Sequence, residues 1–215
     1  GNIRILTSSI VSPSLKQAIQ DFTAAYPGTE TVIFDAVSYS GLLNATKKVT
    51  GKRVIPTYKL DKADLIVGVG ADFLGTWLSP VEFTHQYGKG RQLNQENPTM
   101  NRHIQVESYL SLTGSNADTR VRVKPAEEVH FLAAVYNNIA SRAGVAGVSG
   151  VKLEGEAAAA AKTVADELWA NRGKSVVLAG NNSESAQLLS HAINYHLSNF
   201  GKTVTLDRPT YLRNG

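Results

Sequence analysis

A short glycine-rich segment holds the residues whose types and spacing could bind a nucleotide: Gly68, Gly70, Asp72, Gly75 and Thr76. Glycines let the backbone turn tightly or approach a ligand closely. The segment follows an apolar run, and open α/β sheets bind ligands beyond the carboxyl ends of their strands. The dinucleotide fingerprint G-x-G-x-x-G is broken, because Phe73 stands where its third glycine belongs. The segment therefore predicts a nucleotide-type crevice with an altered lining.

Asp72 stands at the predicted mouth of this crevice, and two interpretations of it are open. In one, its carboxylate would repel a phosphate, since anion-binding glycine turns expose N–H groups rather than charge. In the other, Asp72 only caps the turn after the strand. The bulky Phe73, Leu74 and Trp77 stand where a ligand would need space. We expect the crevice to be closed or repurposed.

The remaining chemistry-bearing patterns are absent from the sequence. It has no P-loop, no G-x-S-x-G elbow and no H-E-x-x-H motif. It has no cysteine, which excludes disulfides, thiolate metal sites and iron–sulfur clusters built from this chain. Its five histidines are scattered without metal-site spacing. We assign no catalytic residue and no metal ligand.

Composition limits the class of protein. The chain has 215 residues and a net charge of +4, with no apolar run long enough to span a membrane. Six of its cations lie between Lys47 and Lys62, but this stretch matches no nucleic-acid-binding motif. A solvated face is the plain interpretation, and docking onto an acidic partner is the alternative. We predict no nucleic-acid partner and no membrane span.

Predicted strands alternate with predicted helices along most of the chain. Leu65–Val69 is the central buried strand, residues 51–60 and 88–101 are predicted loops, and residues 144–153 are a linker. Alternation of this kind implies a mostly parallel sheet, right-handed crossovers and helices on both faces. We predict one doubly wound α/β domain over residues 1–215. Because the chain begins at Gly1 without methionine, we expect it to be part of a longer protein.

Several segments, in serial order from about residue 30 to 206, together resemble the molybdopterin oxidoreductase superfamily. The branch they resemble most is the iron–sulfur subunit of the quinol:cytochrome c oxidoreductase called alternative complex III. The quoted matches include Ala63-Asp64-Leu65-Ile66-Val67, Ala71-Asp72-Phe73-Leu74-Gly75-Thr76, Met100-Asn101-Arg102, Leu112-Thr113-Gly114 and Asn199-Phe200-Gly201-Lys202-Thr203-Val204. The family's usual Gly-x-Asn-Pro and Pro-Gly-Thr-Asp loops are both replaced. The resemblance adds Thr113 and Gly114 to the crevice residues.

The resemblance implies a domain that keeps the sheet and has lost the cofactor. Its function would be that of a cofactor-free scaffold in a membrane-associated respiratory electron-transfer complex, on the periplasmic side of the bacterial cytoplasmic membrane. Its partners would be other subunits and an iron–sulfur domain of the same polypeptide, with the clusters outside this fragment. The alternative is a fragment of an active molybdopterin oxidoreductase that binds a molybdopterin guanine dinucleotide.

Overall fold

The computed structural model describes residues 2–93 and 98–212. The strands in this part of the chain are β1 Ile3–Thr7, β2 Thr29–Ile33, β3 Ile55–Tyr58, β4 Leu65–Val69, β5 Arg102–Glu107, β6 Thr119–Arg122, β7 Ser175–Ala179 and β8 Val204–Thr210. The helices are α1 Pro13–Ala25, α2 Ser40–Thr50, α3 Pro80–Arg91, α4 Leu112–Ser115, α5 Glu128–Ala143, α6 Gly155–Ala170 and α7 Glu184–His196.

Four strands form the central sheet in the order β6-β5-β4-β7, and all of its pairs are parallel. The central strand β4 aligns Leu65 with Arg102 of β5 on one side and with Ser175 of β7 on the other. Its five residues are all buried, as expected of a parallel strand covered on both faces. The chain proceeds from β4 to β5 and β6, then returns across the sheet to β7. This order confirms the predicted doubly wound α/β fold.

Alternate residues of the central sheet feed two apolar cores, one on each face. Leu65, Val67 and Val69 of β4 pack with α5, α6 and α7. Ile66 faces the other way and packs with α2, α3 and the β3–β8 pair. This division follows from the two-residue period of a strand, which sends successive side chains to opposite faces.

The predicted loop over residues 51–60 is wrong in part, because residues 55–58 form β3. This strand pairs antiparallel with β8 and carries a register shift between Ile55 and Thr57. The shift coincides with Pro56, which has no N–H to give to a ladder. The proline therefore signalled an irregular edge strand rather than the absence of a strand. Likewise α3 runs on to Arg91, into the predicted loop over residues 88–101, of which residues 94–97 lie outside the described residues.

The N-terminal unit, residues 3–37, stands outside both cores. It holds β1, α1 and β2, with the two strands paired in parallel and α1 crossing between them. Helix α1 begins as predicted, with Ser12 Oγ accepting the Leu15 N–H and Pro13 in the first turn. However, no residue of α1 is buried. The unit contributes no member to either core cluster.

Candidate functional site

The carboxyl ends of β4 and β7 define the place where a doubly wound sheet offers a ligand crevice. The chain leaves β4 toward α3 on one face and leaves β7 toward α7 on the other. Loops that diverge in this way open a space between them in nucleotide-binding folds. We call this place the switch-point crevice. The loop after β5, which leads to α4, borders it on the β5 side.

Backbone contacts close the switch-point crevice at its base. The Gly70 N–H donates to the Val106 carbonyl (2.8 Å), and the Gly180 N–H donates to the Val69 carbonyl (2.9 Å). The ladder bonds therefore continue one residue past the strands on both sides of β4. A Cβ placed on Gly180 would collide with the Gly70 carbonyl. Gly180 can approach Gly70 this closely because it has no side chain, so the two loops touch where a ligand would have to enter.

Asp72 ties the glycine turn to α4. Its Oδ1 accepts from the Thr113 N–H (3.1 Å) and the Thr113 hydroxyl (2.7 Å), and its Oδ2 accepts from the Thr76 hydroxyl (3.3 Å). The same carboxylate lies against Gly75, where a Cβ would displace it. In return the Leu74 N–H donates to the Thr113 hydroxyl (2.9 Å). Asp72 thus stabilises its own turn, as the local interpretation held, and also joins two loops that are 41 positions apart.

Glu107, the last residue of β5, is a second internally bound carboxylate. It accepts from the Ser111 hydroxyl (2.6 Å), the Ser111 N–H (3.2 Å) and the Arg120 Nε (2.7 Å). Burial raises its pKa, but the hydrogen bonds from Ser111, Arg120 and Gln105 outweigh this, so the pKa of Glu107 is lowered and the group stays charged. It also fills the gap above Gly114, where a Cβ would collide with it.

Glu128 is a third carboxylate at the same edge of the sheet. Its oxygens lie 2.8 and 2.9 Å from the position that a Cβ on Gly70 would take. Gly70 has φ +62, a conformation that favours glycine. Burial raises the pKa of Glu128, and a hydrogen bond with Asn181 offsets this only in part. A half-buried carboxylate therefore covers the glycine that a phosphate would approach.

The N-terminus of α2 is also engaged, by the loop after β7. The Gly41 N–H in the first turn of α2 donates to the Asn182 Oδ1 (2.9 Å). Helix N-termini bind anions through such free N–H groups. Because Asn182, from the loop after β7, takes this donor, it is not available to a ligand.

The aromatic side chains play a different part from the one predicted for them. Phe73 is fully buried and lies 5.7 Å from Tyr87 and 5.2 Å from His103, ring centre to ring centre. Trp77 packs between Tyr58 and Phe83. These rings point into the core on the α3 side. The expectation that they fill the crevice is therefore wrong.

Six of the seven predicted crevice residues come together at this edge: Gly70, Asp72, Gly75, Thr76, Thr113 and Gly114. Gly68 does not, because it lies within β4, where a Cβ would collide with the Gln105 side chain. Glu107 and Glu128 were not predicted to belong to the site. The alternation His103-x-Gln105-x-Glu107 signals a polar face on β5, whereas no local pattern pairs Glu128 with Gly70.

That polar face of β5 is a buried chain of hydrogen bonds beneath the site. His103 contacts the Tyr87 hydroxyl (3.1 Å) through Nδ1 and Gln105 Oε1 (3.3 Å) through Nε2. Gln105 Nε2 in turn donates to the Ala71 carbonyl (3.2 Å) and to Glu107 (3.4 Å). Burial lowers the pKa of His103 to about 4, so the ring is neutral at pH 7. This series of hydrogen bonds holds the Ala71 carbonyl, and with it the turn after β4, against β5.

The rest of the described residues form no metal centre and no membrane-spanning helix. Residues 2–93 and 98–212 contain no group of three His, Asp or Glu side chains that could hold a metal ion. Within the same ranges no helix is long and apolar enough to cross a membrane. In the basic stretch, Lys48 is paired with Glu184, and Arg53 Nε donates to Asn44 (3.2 Å).

Comparisons with known proteins give a likeness in fold to solved structures. No protein-family profile matches the sequence. No curated protein matches it either. Among solved structures, the fold is similar to a chain of the formyltransferase/hydrolase complex (FhcABCD) from Methylorubrum extorquens in complex with methylofuran, with a TM-score of 0.60 at 14% identity. The likeness covers 97% of this chain and 54% of that chain, so the chain spans about half the length of its structural neighbour.

This likeness corrects the family resemblance drawn from the sequence. The neighbour is a chain of a formyltransferase/hydrolase complex, not a molybdopterin oxidoreductase. The predicted alternative complex III setting, the respiratory electron-transfer function and the alternative of an active molybdopterin oxidoreductase are therefore wrong. The likeness does not test the cofactor prediction, either that the fragment holds none or that it binds a molybdopterin guanine dinucleotide. The matched glycines have a local reason that needs no common ancestry. Gly70, Gly75 and Gly114 each make room for a carboxylate of this chain.

Proposed function

We propose that this domain serves as a structural part of a multi-subunit assembly and takes no dinucleotide in its switch-point crevice. One observation carries the proposal. Three carboxylates of the chain, Asp72, Glu107 and Glu128, lie on the three glycines Gly75, Gly114 and Gly70. Glycines at the carboxyl edge of a sheet let a nucleotide phosphate approach the backbone only if no other group fills the space beside them.

The donors that would hold a phosphate are also in use. The Thr113 N–H is given to Asp72, the Gly114 N–H to the Ser111 hydroxyl (2.9 Å) and the Gly41 N–H to Asn182. A ligand phosphate would have to displace these acceptors and would meet carboxylate charge. Both the lack of space and the negative charge at this edge of the sheet disfavour a bound phosphate, and the backbone donors there already have acceptors within the chain.

The fold likeness supports assembly as the setting. The structural neighbour is a chain of a complex whose activity is formyl transfer and hydrolysis. By analogy of fold, we expect this chain to associate with other subunits, and its own role to be positional. The expected iron–sulfur partner has no support in this likeness, and the periplasmic location remains a prediction.

The proposal is tested by ligand-induced stabilisation of the whole chain. A ligand held at 100 times its dissociation constant raises the free energy of unfolding by about 2.7 kcal/mol. We expect GDP, NAD and FAD at millimolar concentration to leave the melting temperature of this chain unchanged. A saturable rise with any of them would contradict the proposal.

A matched variant separates charge from space. Glu128→Gln removes the charge above Gly70 and keeps the shape of the side chain. Because Gly70 and Gly180 remain in contact, we expect the same nucleotides to leave the melting temperature of this variant unchanged. Stabilisation of Glu128→Gln by GDP would show that charge alone excludes the ligand, and would contradict closure by contact of the loops.

A further inference from the structure

The carboxyl edge of the central sheet also holds an open cavity, where the chain leaves β5 and β6. Its volume is about 470 Å³. It is lined by the residue that follows β5 and by the segment at the end of β6: Ser108, Arg122, Val123, Lys124, Pro125 and Glu127. None of these lining residues belongs to the glycine loops that close the switch-point crevice. We call this space the β5–β6 cavity.

Arg122, the last residue of β6, brings an uncompensated charge to the β5–β6 cavity. Its side chain is exposed and makes no hydrogen bond or ion pair with any residue in the described ranges 2–93 and 98–212. The other two charges of the lining oppose each other, since Lys124 Nζ lies 3.5 Å from Glu127 Oε1. The cavity therefore presents a guanidinium whose planar N–H donors match the two oxygens of a carboxylate.

The loop over residues 109–112, which follows Ser108, adds apolar side chains and backbone donors beside the cavity. Tyr109 and Leu110 are each 65% exposed, and Leu112 is also exposed. Tyr109 and Leu110 make no hydrogen bond to any described residue, so their backbone N–H and carbonyl groups are available to a partner. A polypeptide segment can cover such side chains and bond to such a backbone at the same time.

The charge of the lining favours a carboxylate over a phosphate. Glu127 Oε2 accepts from the Lys124 N–H (2.9 Å), and this bond lowers the pKa of the Glu127 carboxyl, so the group stays charged. Two cations and one acid leave a single positive charge in the lining, which one carboxylate balances. A phosphate carries nearly two negative charges at pH 7 and would be repelled by Glu127.

We propose that the β5–β6 cavity and the 109–112 loop form a docking surface for an acidic segment of a partner subunit. An aspartate or glutamate of that segment pairs with Arg122, and the apolar side chains next to it pack on Tyr109 and Leu110. Arginine and tyrosine are among the residues that carry most of the binding energy at protein interfaces. The inference rests on the proposed function, because it names the kind of segment through which the chain would join an assembly.

Peptide selection on the whole chain tests this docking surface. The probe is a display library of random short peptides, and we expect the enriched sequences to share an aspartate or glutamate beside a large apolar residue. A synthesised member should shift the amide signals of Ser108, Tyr109 and Leu110 in nuclear magnetic resonance spectra. Arg122→Gln should weaken its binding about tenfold, because a charge-assisted hydrogen bond is lost.

Two further variants sharpen the comparison. Arg122→Lys should recover only part of the affinity, because lysine keeps the charge but lacks the two-pronged donor geometry. Arg208→Gln is the matched control, since Arg208 is also exposed but lies on β8, and it should leave peptide binding unchanged. The melting temperature of Arg122→Gln should equal that of the wild type, because Arg122 has no partner among the described residues.

Three results would overturn the proposal. The first is a selection that enriches no sequence, or sequences without an acidic residue. The second is equal binding of the enriched peptide to the wild type and to Arg122→Gln. The third is a saturable shift of the Ser108, Tyr109 and Leu110 signals with millimolar inorganic phosphate alone, which would assign the cavity to a small anion. None of them would affect the claim that the switch-point crevice is closed, which the nucleotide titration tests separately.

Discussion

At the residue scale, the carboxylates Asp118, Glu107 and Glu128 differ in whether hydrogen bonds or burial dominates the shift in their pKa. Asp118 accepts hydrogen bonds from the Arg91 guanidinium and from the His103 N–H (2.7 Å), and these bonds lower its pKa. Hydrogen bonds outweigh burial at Glu107, whose pKa is also lowered. Burial wins at Glu128, whose pKa is raised. Among these three carboxylates, Glu128 is therefore the one whose charge costs the fold most, because only a hydrogen bond with Asn181 opposes the effect of burial on its pKa.

The buried histidines give a prediction about pH. Burial lowers the pKa of His103 and of His191 to about 4, against about 6.5 in an unfolded chain. Between these values the unfolded chain binds protons that the folded chain does not, so stability is present above pH 6.5 and is lost as the pH falls toward 4. As the pH falls from 6.5 to 4, each histidine can lower the free energy of unfolding by up to about 3 kcal/mol.

Chemical denaturation at a series of pH values checks this. The free energy of unfolding should fall steadily below pH 6.5 in the wild type. The fall should be shallower in His191→Gln, where one buried ring is gone. His85→Gln, at an exposed position on α3, serves as the control and should keep the wild-type slope. An unchanged slope in His191→Gln would contradict the assignment of a neutral buried ring.

At the element scale, long, strongly patterned segments could be predicted from the sequence and tertiary pairings could not. The apolar run Leu65–Val69 is a strand with the predicted bounds. Ser12-Pro13 starts α1 as predicted, because capping is a local interaction. Strand β3 was missed because its ladder partner among the described residues, β8, lies about 150 positions away. Asp72 could be placed at a turn, but its bond to Thr113 crosses the fold and leaves no local signal.

The contact between the loops after β4 and β7 gives a prediction at this scale. In Gly180→Ala the new Cβ would meet the backbone of Gly70 and Ala71, which cannot yield as a flexible side chain would. We expect a loss of about 2 to 3 kcal/mol in the free energy of unfolding. In Gly88→Ala, within α3, nothing lies within 4 Å of the new Cβ, so we expect a gain of about 0.5 to 1 kcal/mol. If Gly180→Ala were as stable as Gly88→Ala, the loops would not be in contact.

At the scale of the whole molecule, the fold class could be predicted and the function could not. Alternating strands and helices fix a doubly wound sheet through general rules of chain crossover. Tight turns after the strands favour glycine at the carboxyl edge, so short glycine motifs there recur in proteins of unrelated function. What distinguishes an open crevice from a filled one is the set of side chains that reach it from distant positions. Here Glu128 of α5 lies against Gly70, and Asn182 of the loop after β7 accepts from the Gly41 N–H.

The central claim is that the chain's own side chains and backbone occupy the place where related architectures bind a dinucleotide. It is tested most directly by titrating the isotopically labelled chain with GDP and following the amide signals of Gly70, Gly75, Gly114 and Gly180 by nuclear magnetic resonance. We predict that these signals stay in place up to millimolar GDP, within the noise set by distant glycines such as Gly88. Saturable shifts confined to these four amides would show an open, functional crevice and would contradict the claim.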